Sequence, residues 1–252
     1  MKKIIRITIF LFSIGIFACD CDEPPITEKY VQSDFVANVT ILKIYPNQKG
    51  EKGEKGYRAD IKINELFKGE VLKSIYVYGQ SDNGIGTSCD IFIPENTKLI
   101  AYARKNSDGN YGIGMCSGLF FLDKTNPKRQ NRELKILRVF KSNNIDFTDK
   151  ITYREKSKLR ENLEQYKGIE LDKDFGIYEI TFESDLRIKS VTEISGFGNP
   201  IDQKLIEIIK QTVWSSNNEG INDKVPENSK LLIGIYFYPE EKGNPSFLSK
   251  YY

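Results

Sequence analysis

Four cysteines, Cys19, Cys21, Cys89 and Cys116, are the residues of this chain best equipped for chemistry, and no histidine stands anywhere beside them. Without an imidazole there can be no Ser-His-Asp triad, no Cys-His dyad and no His-ligated zinc. Most hydrolytic and metal-dependent mechanisms use an imidazole that titrates near neutrality. Carboxylate-only or lysine-based chemistry stays open, but no acid–base constellation is visible in the pattern. The chain therefore reads as a non-enzyme, with no catalytic residues, no metal and no cofactor. The thiols have two other uses. Zinc sites space cysteines in pairs two to four residues apart, which Cys89 and Cys116 do not. In an oxidising compartment paired cysteines become disulfides, and four of them allow three pairings. A bond between Cys19 and Cys21, one residue apart, would be strained. The useful pairings join each N-terminal cysteine to a distant one, and closing such long loops contributes on the order of 4 kcal/mol each.

The N-terminus predicts the compartment those cysteines need. Lys2, Lys3 and Arg6 precede an apolar run, Ile7 to Ala18, of 12 residues. That is short of the ~20 residues of a spanning helix and has the form of an export signal. Residues 1–18 are read as a signal peptide, cut after Ala18. Two maturations then compete. A general signal peptidase leaves Cys19 with a free α-amine. A lipoprotein peptidase, reading Ile16-Phe17-Ala18-Cys19 as a relaxed lipobox, leaves it lipidated. The expected location is the periplasm, the outer membrane as a lipoprotein, or the exterior. Membrane contact would come through that lipid anchor alone.

The 252 residues are 39% hydrophobic and 29% charged, a globular composition. Lys plus Arg number 37 against 35 Asp plus Glu, a net +2. Removing residues 1–18 takes three positive charges and leaves 34 against 35, so nothing draws the mature chain to nucleic acid. Between the cysteines the pattern is β. Phe35–Ile44 and Tyr57–Phe67 are expected strands around a Gly-Glu-Lys loop that is duplicated at 50–56. Lys73–Tyr78, Asp90–Ile93, Lys98–Ala103 and Tyr111–Met115 are further short ones. Strands this short and regularly spaced predict a barrel or a sandwich. Asn126-Pro127 then caps a helix bearing Leu134, Leu137 and Phe140 on one face, and a second helix is expected at Ile151–Tyr166. From Lys124 to Lys167 there are 13 basic and 6 acidic residues. This surplus reads mainly as solvated helix faces, with anionic lipid as the sharper alternative.

An N-terminal Cys-x-Cys soon followed by proline resembles the tissue inhibitors of metalloproteinases and the netrin-like modules related to them. So do Glu65-Leu66-Phe67-Lys68-Gly69, a cysteine before a strand (Cys89) and a cysteine closing the last strand (Cys116). The resemblance covers about residues 19–140. It implies a five-stranded barrel of the oligonucleotide/oligosaccharide-binding type, paired Cys19–Cys89 and Cys21–Cys116. In the inhibitors, the amine and carbonyl of the first cysteine chelate the protease zinc and the next side chain enters the specificity pocket. Carried over, Cys19 would chelate and Asp20 would enter the pocket. The chain lacks the inhibitors' third disulfide, and Asp20 is charged where they carry a small or apolar residue. Burying an unpaired carboxylate costs several kcal/mol. The resemblance therefore implies first a binding module, with a zinc metalloprotease as the rival partner.

After Gly176 the pattern becomes strand, strand, helix, strand. Ile177–Glu183, Leu186–Ile194, a helix from Asn199-Pro200 with Ile201, Leu205, Ile208 and Ile209 on one face, and Lys230–Tyr238 carry it. Ile180-Thr181-Phe182, Val191-Thr192-Glu193-Ile194-Ser195-Gly196 and Ile201-Asp202-Gln203-Lys204-Leu205 resemble the C-terminal domain of the TonB energy transducers. That resemblance implies a small ββαβ domain that contacts proteins by strand addition. The expected organisation is a barrel at 19–127, a basic helical connector at 128–170 and an α+β domain at 171–252. Each part has its own apolar periodicity, so a cut near Leu171 should leave two halves that fold separately. The expected partner is an envelope protein.

Overall fold

The computed structural model describes residues 21, 24–49, 55–84, 87–123, 125–147, 149–198, 200–216 and 224–251. The expected signal peptide lies outside them, as do Cys19 and Asp20.

A short helix, α1 (Ile26–Gln32), leads into β1 (Phe35–Ile44), β2 (Gln48–Lys49), β3 (Lys55–Lys68), β4 (Ser74–Val77), β5 (Lys98–Lys105), β6 (Tyr111–Ile113) and β7 (Phe120–Phe121). Strands β1, β3, β4, β6 and β5 pair in that order, and β5 pairs back onto β1. The result is a closed five-stranded barrel, antiparallel except where β4 runs parallel to β6. Closure leaves these strands with no free edge. Inward residues of β1, β3 and β5, among them Val39, Ile41, Ala59, Leu99 and Ala101, fill the interior. The expected strand at Asp90–Ile93 is instead an irregular segment. Its backbone is tied to the barrel by one bond of each kind: the Ile91 N–H donates to the Tyr78 carbonyl at 3.2 Å and the Ile93 N–H to the buried Tyr57 hydroxyl at 2.8 Å.

The connector is α2 (Pro127–Ser142), begun by Asn126, whose side chain accepts the Arg129 N–H at 3.1 Å. The helix expected over Ile151–Tyr166 forms only in its second half. Tyr153–Glu155 forms β8, Leu159–Leu163 forms α3, and a 3-10 turn at Glu164–Tyr166 continues it. Glu155 accepts from the Leu159 N–H and the Ser157 hydroxyl, each at 2.8 Å, which starts the helix late. Next come β9 (Phe175–Phe182), β10 (Ile188–Ser195), α4 (Ile201–Lys210), β11 (Trp214–Ser216), β12 (Lys230–Tyr238) and β13 (Phe247–Ser249). β11 pairs with β8, and the other strands form an antiparallel sheet in the order β10-β9-β12-β13. With α4 on one face, this is the small α+β part. The fold is thus a barrel joined to an α+β unit.

Both faces of that sheet are buried. Tyr178, Ile180 and Phe182 of β9, with Ile233, Ile235 and Phe237 of β12, pack with α4. The alternate residues Phe175, Ile177, Leu232 and Tyr236 point the other way. There they join Ile26 and Tyr30 of α1, Ile136, Leu137 and Phe140 of α2, and the outward-facing Val36, Ile100 and Tyr102 of the barrel. One apolar cluster therefore draws on both halves, which argues against the expected separate folding. We predict that a fragment beginning at Leu171 will lack native chemical-shift dispersion, because it presents Phe175, Ile177, Leu232 and Tyr236 to water. A well-dispersed amide spectrum from that fragment alone would contradict the shared core.

Candidate functional site: the disulfide-tied end of the barrel

Cys116 lies in a short helical turn, Met115–Ser117, directly after β6. The Ser117 hydroxyl donates to the Gly114 carbonyl at 2.8 Å, and the turn ends in Gly118 at φ +76°. Gly118 has a second constraint. A Cβ there would stand 2.3 Å from the Lys29 side chain, which passes directly over it. Cys21 bonds to Cys116 with Cα atoms 5.2 Å apart across a sequence separation of 95. This is the pairing the resemblance implies for Cys21. Cys89 is also disulfide-bonded, and Cys19, its expected partner, lies outside the described residues.

The Cys21–Cys116 bridge holds the entering chain against a groove of about 540 Å3 between the barrel end and the start of α2. Pro24, Met115, Leu119, Phe120 and Phe121 give it an apolar lining, and Asn126, Arg129 and Gln130 give it a polar side. The Arg129 guanidinium lies 5.0 Å from the centre of the Phe120 ring. Met115 and Phe121 are 45% and 42% exposed. Large apolar side chains rimmed by polar ones mark contact surfaces on soluble proteins. Sequence reasoning found Cys21 and Cys116 but missed Met115, Phe121 and Arg129. Their one signal was the Phe120-Phe121 pair so close to the last cysteine. Exposure of one ring of such a pair is a tertiary property.

Behind the groove the chain is pinned by a buried charge network. The Lys29 ammonium donates to Glu133 at 3.3 Å, with side chains 1% and 0% exposed. The Tyr102 hydroxyl donates to the same carboxylate oxygen at 2.7 Å, and the Lys29 ammonium also lies 4.8 Å from the Tyr102 ring centre. Burial, reinforced by the Glu133 charge, pushes the Tyr236 hydroxyl above its ordinary range. Tyr30, in the same cluster, is raised to about 12, first by burial and then by Asp146.

Four cations of the connector are engaged across the joint between the barrel and the α+β unit. Arg138 grips Glu65 of β3 with two hydrogen bonds of 2.8 Å. That contact holds the Glu65 carboxyl below its usual range. Lys141 donates to the Leu66 carbonyl at 2.7 Å. On the other side Arg132 donates to the Phe237 carbonyl at 2.9 Å, and Lys135 to Asp174 at 3.2 Å. These cations staple the barrel to the α+β unit, so they do not form a free basic face. In that unit Asp202 is spent similarly. It accepts from the Tyr178 hydroxyl at 2.6 Å and from the Phe197 N–H at 2.8 Å.

Among the described residues no group of three or more Cys, Asp or Glu is placed to hold a metal ion, and no helix is long and apolar enough to cross a membrane. The arrangement can present a rigid, partly apolar face beside a covalently tethered N-terminal segment. No protein-family model matches the chain, and no curated protein matches it.

Proposed function

We propose that the protein is an exported, non-catalytic binding protein of the cell envelope. Its contact face is the disulfide-tied end of a netrin-like barrel, and its ligand is another envelope protein. The observation that carries this reading is the groove beside Cys21–Cys116, where Met115 and Phe121 stand exposed next to a bridge that fixes the entering chain. An apolar anchor on a rigid support loses little conformational entropy on binding.

The sulfur chemistry separates the two maturations. Lipidation puts a thioether on the sulfur of the first cysteine, and a disulfide uses that same sulfur. If Cys19 is the partner of the disulfide-bonded Cys89, lipidation is excluded and the α-amine is free. The second reading, chelation of a metalloprotease zinc by Cys19, needs that free amine. It is favoured by the bridge at Cys21, which fixes the chain two residues away. Intact-mass measurement of the exported protein should give a chain starting at Cys19 with no lipid. A photo-crosslinking residue at Phe121 should capture an envelope protein in living cells, and the same residue at Leu42, which is 51% exposed on β1, should not. Equal capture at both positions, or none at Phe121, would overturn the proposed face.

A further inference from the structure

The groove beside the Cys21–Cys116 bridge carries one reactive group, the thioether sulfur of Met115. The chain has two methionines, Met1 and Met115. Met1 belongs to the expected signal peptide, so export leaves Met115 as the one methionine of the mature chain. Methionine ordinarily fills gaps in cores. Met115 does not. It is exposed, it belongs to none of the three buried apolar clusters, and it lines the groove together with Leu119, Phe120 and Phe121.

The other sulfurs nearby are already oxidised. Cys21 and Cys116 are bonded to each other, and Cys89 is disulfide-bonded too. Among the described residues no cysteine is free. A two-electron oxidant that reaches this face therefore meets one oxidisable sulfur, that of Met115. The backbone cannot carry it away. Met115 begins the Met115–Ser117 turn, which the Ser117 hydroxyl closes on the Gly114 carbonyl at 2.8 Å, and the next residue is Cys116 of the bridge.

We propose that Met115 is a redox switch on the groove, set by oxidants of the peroxide class. Its use in the cell rests on the contact-face reading, while its chemistry needs only the groove. The sulfur lone pair attacks one oxygen of hydrogen peroxide and the O–O bond breaks. That oxygen stays on sulfur as a sulfoxide and gives its proton to the departing hydroxide, which leaves as water. Sulfur loses two electrons and the peroxide gains them. The product is polar where the thioether was apolar, and sulfoxide reductases reverse it. An apolar partner group seated against Leu119 and Phe121 must then strip water from the sulfoxide oxygen, and burying an uncompensated acceptor is unfavourable. The fold does not register the change, because Met115 contributes to no buried cluster. Oxidation therefore acts on binding and not on stability.

Hydrogen peroxide on the purified mature chain, followed by peptide mapping, locates the added oxygen. It is expected on Met115, at a rate within about tenfold of that for free methionine. The groove is read with anilinonaphthalene sulfonate, whose rings suit Phe120 and Phe121 and whose sulfonate suits Arg129. Oxidation should raise the probe Kd about tenfold and leave the urea midpoint unchanged. Met115→Leu should bind the probe as the native chain does and be indifferent to peroxide. Met115→Gln should bind as weakly as the oxidised chain with no oxidant present. Methionine sulfoxide reductases should restore the native Kd. A Met115 that stays reduced where free methionine is converted would overturn the switch. So would an oxidised chain that binds the probe as the native one does, or a Met115→Leu chain that loses as much affinity on peroxide. Absence of probe binding by the native chain would overturn the switch and the contact face together. A native chain that binds the probe and responds to peroxide, but captures no partner at Phe121, would sink the contact-face reading and leave the switch in place.

Discussion

Glu133→Ala should destabilise the protein by about 3–5 kcal/mol, measured by equilibrium urea denaturation. The reason is what it leaves behind. Lys29 has a side chain only 1% exposed, and Glu133 is its carboxylate at 3.3 Å. Once that carboxylate is gone, the ammonium stays buried beside the Tyr102 ring, 4.8 Å from its centre, without this charge partner. The Tyr102 hydroxyl loses its acceptor at the same time. A buried ion pair is not by itself evidence of net stabilisation, because desolvating both charges costs about as much as their attraction returns. The double variant Lys29→Met with Glu133→Leu should therefore recover most of the loss. If it is as unstable as Glu133→Ala, the pair stabilises the fold outright. If Glu133→Ala costs less than about 1 kcal/mol, water reaches the site and the network is not the pin described here. The consequence extends beyond stability. Lys29 is on α1 and Glu133 on α2, and both helices border the α+β sheet. Breaking the pair should loosen the joint between the halves before either half unfolds, which hydrogen exchange at Leu232 and Tyr236 would reveal.

The second large effect belongs to the Cys21–Cys116 bridge. It closes a loop spanning 95 residues, for which the chain-entropy account gives about 4–5 kcal/mol. Cys21→Ser with Cys116→Ser should lower stability by that order, and the urea midpoint measures it. Reducing the unmodified protein should cost at least as much, since Cys89 is disulfide-bonded as well. The double-serine variant should also lose capture at Phe121, because the bridge positions one wall of the groove. An unchanged midpoint would mean that the reduced chain already holds its ends together. Unchanged capture would mean that partner binding does not depend on the tethered segment.

Local patterns in the sequence are enough to specify most of the elements. Alternation in Phe35–Ile44 and in 55–68 gives two long barrel strands, because a half-buried strand must alternate. Asn126-Pro127 gives the start of α2, because a cap and a fixed φ act within one turn. The same local logic failed where partners come from far away. Residues Tyr153–Glu155 have the polarity of a helix face but pair with Trp214–Ser216, some sixty positions on. Asp90–Ile93 looks like a strand, but its N–H groups are scattered over the Thr87 carbonyl, the Tyr78 carbonyl and the Tyr57 hydroxyl and make no ladder.

What the sequence determines by itself is the chemistry the chain can and cannot do. It has no imidazole, and it has four thiols, of which Cys21 and Cys116 stand 95 positions apart. The joint between the halves was legible in principle. Lys230–Tyr238 is apolar on consecutive positions, and a strand that does not alternate must be covered on both faces. Which surface covers the second face is not a local property, and neither are the burial of Lys29 and Glu133 or the exposure of Phe121. Each is set by how separate elements pack. Packing depends on residues distant in sequence meeting in space, so tertiary structure alone decided which of these side chains are buried and which are left exposed.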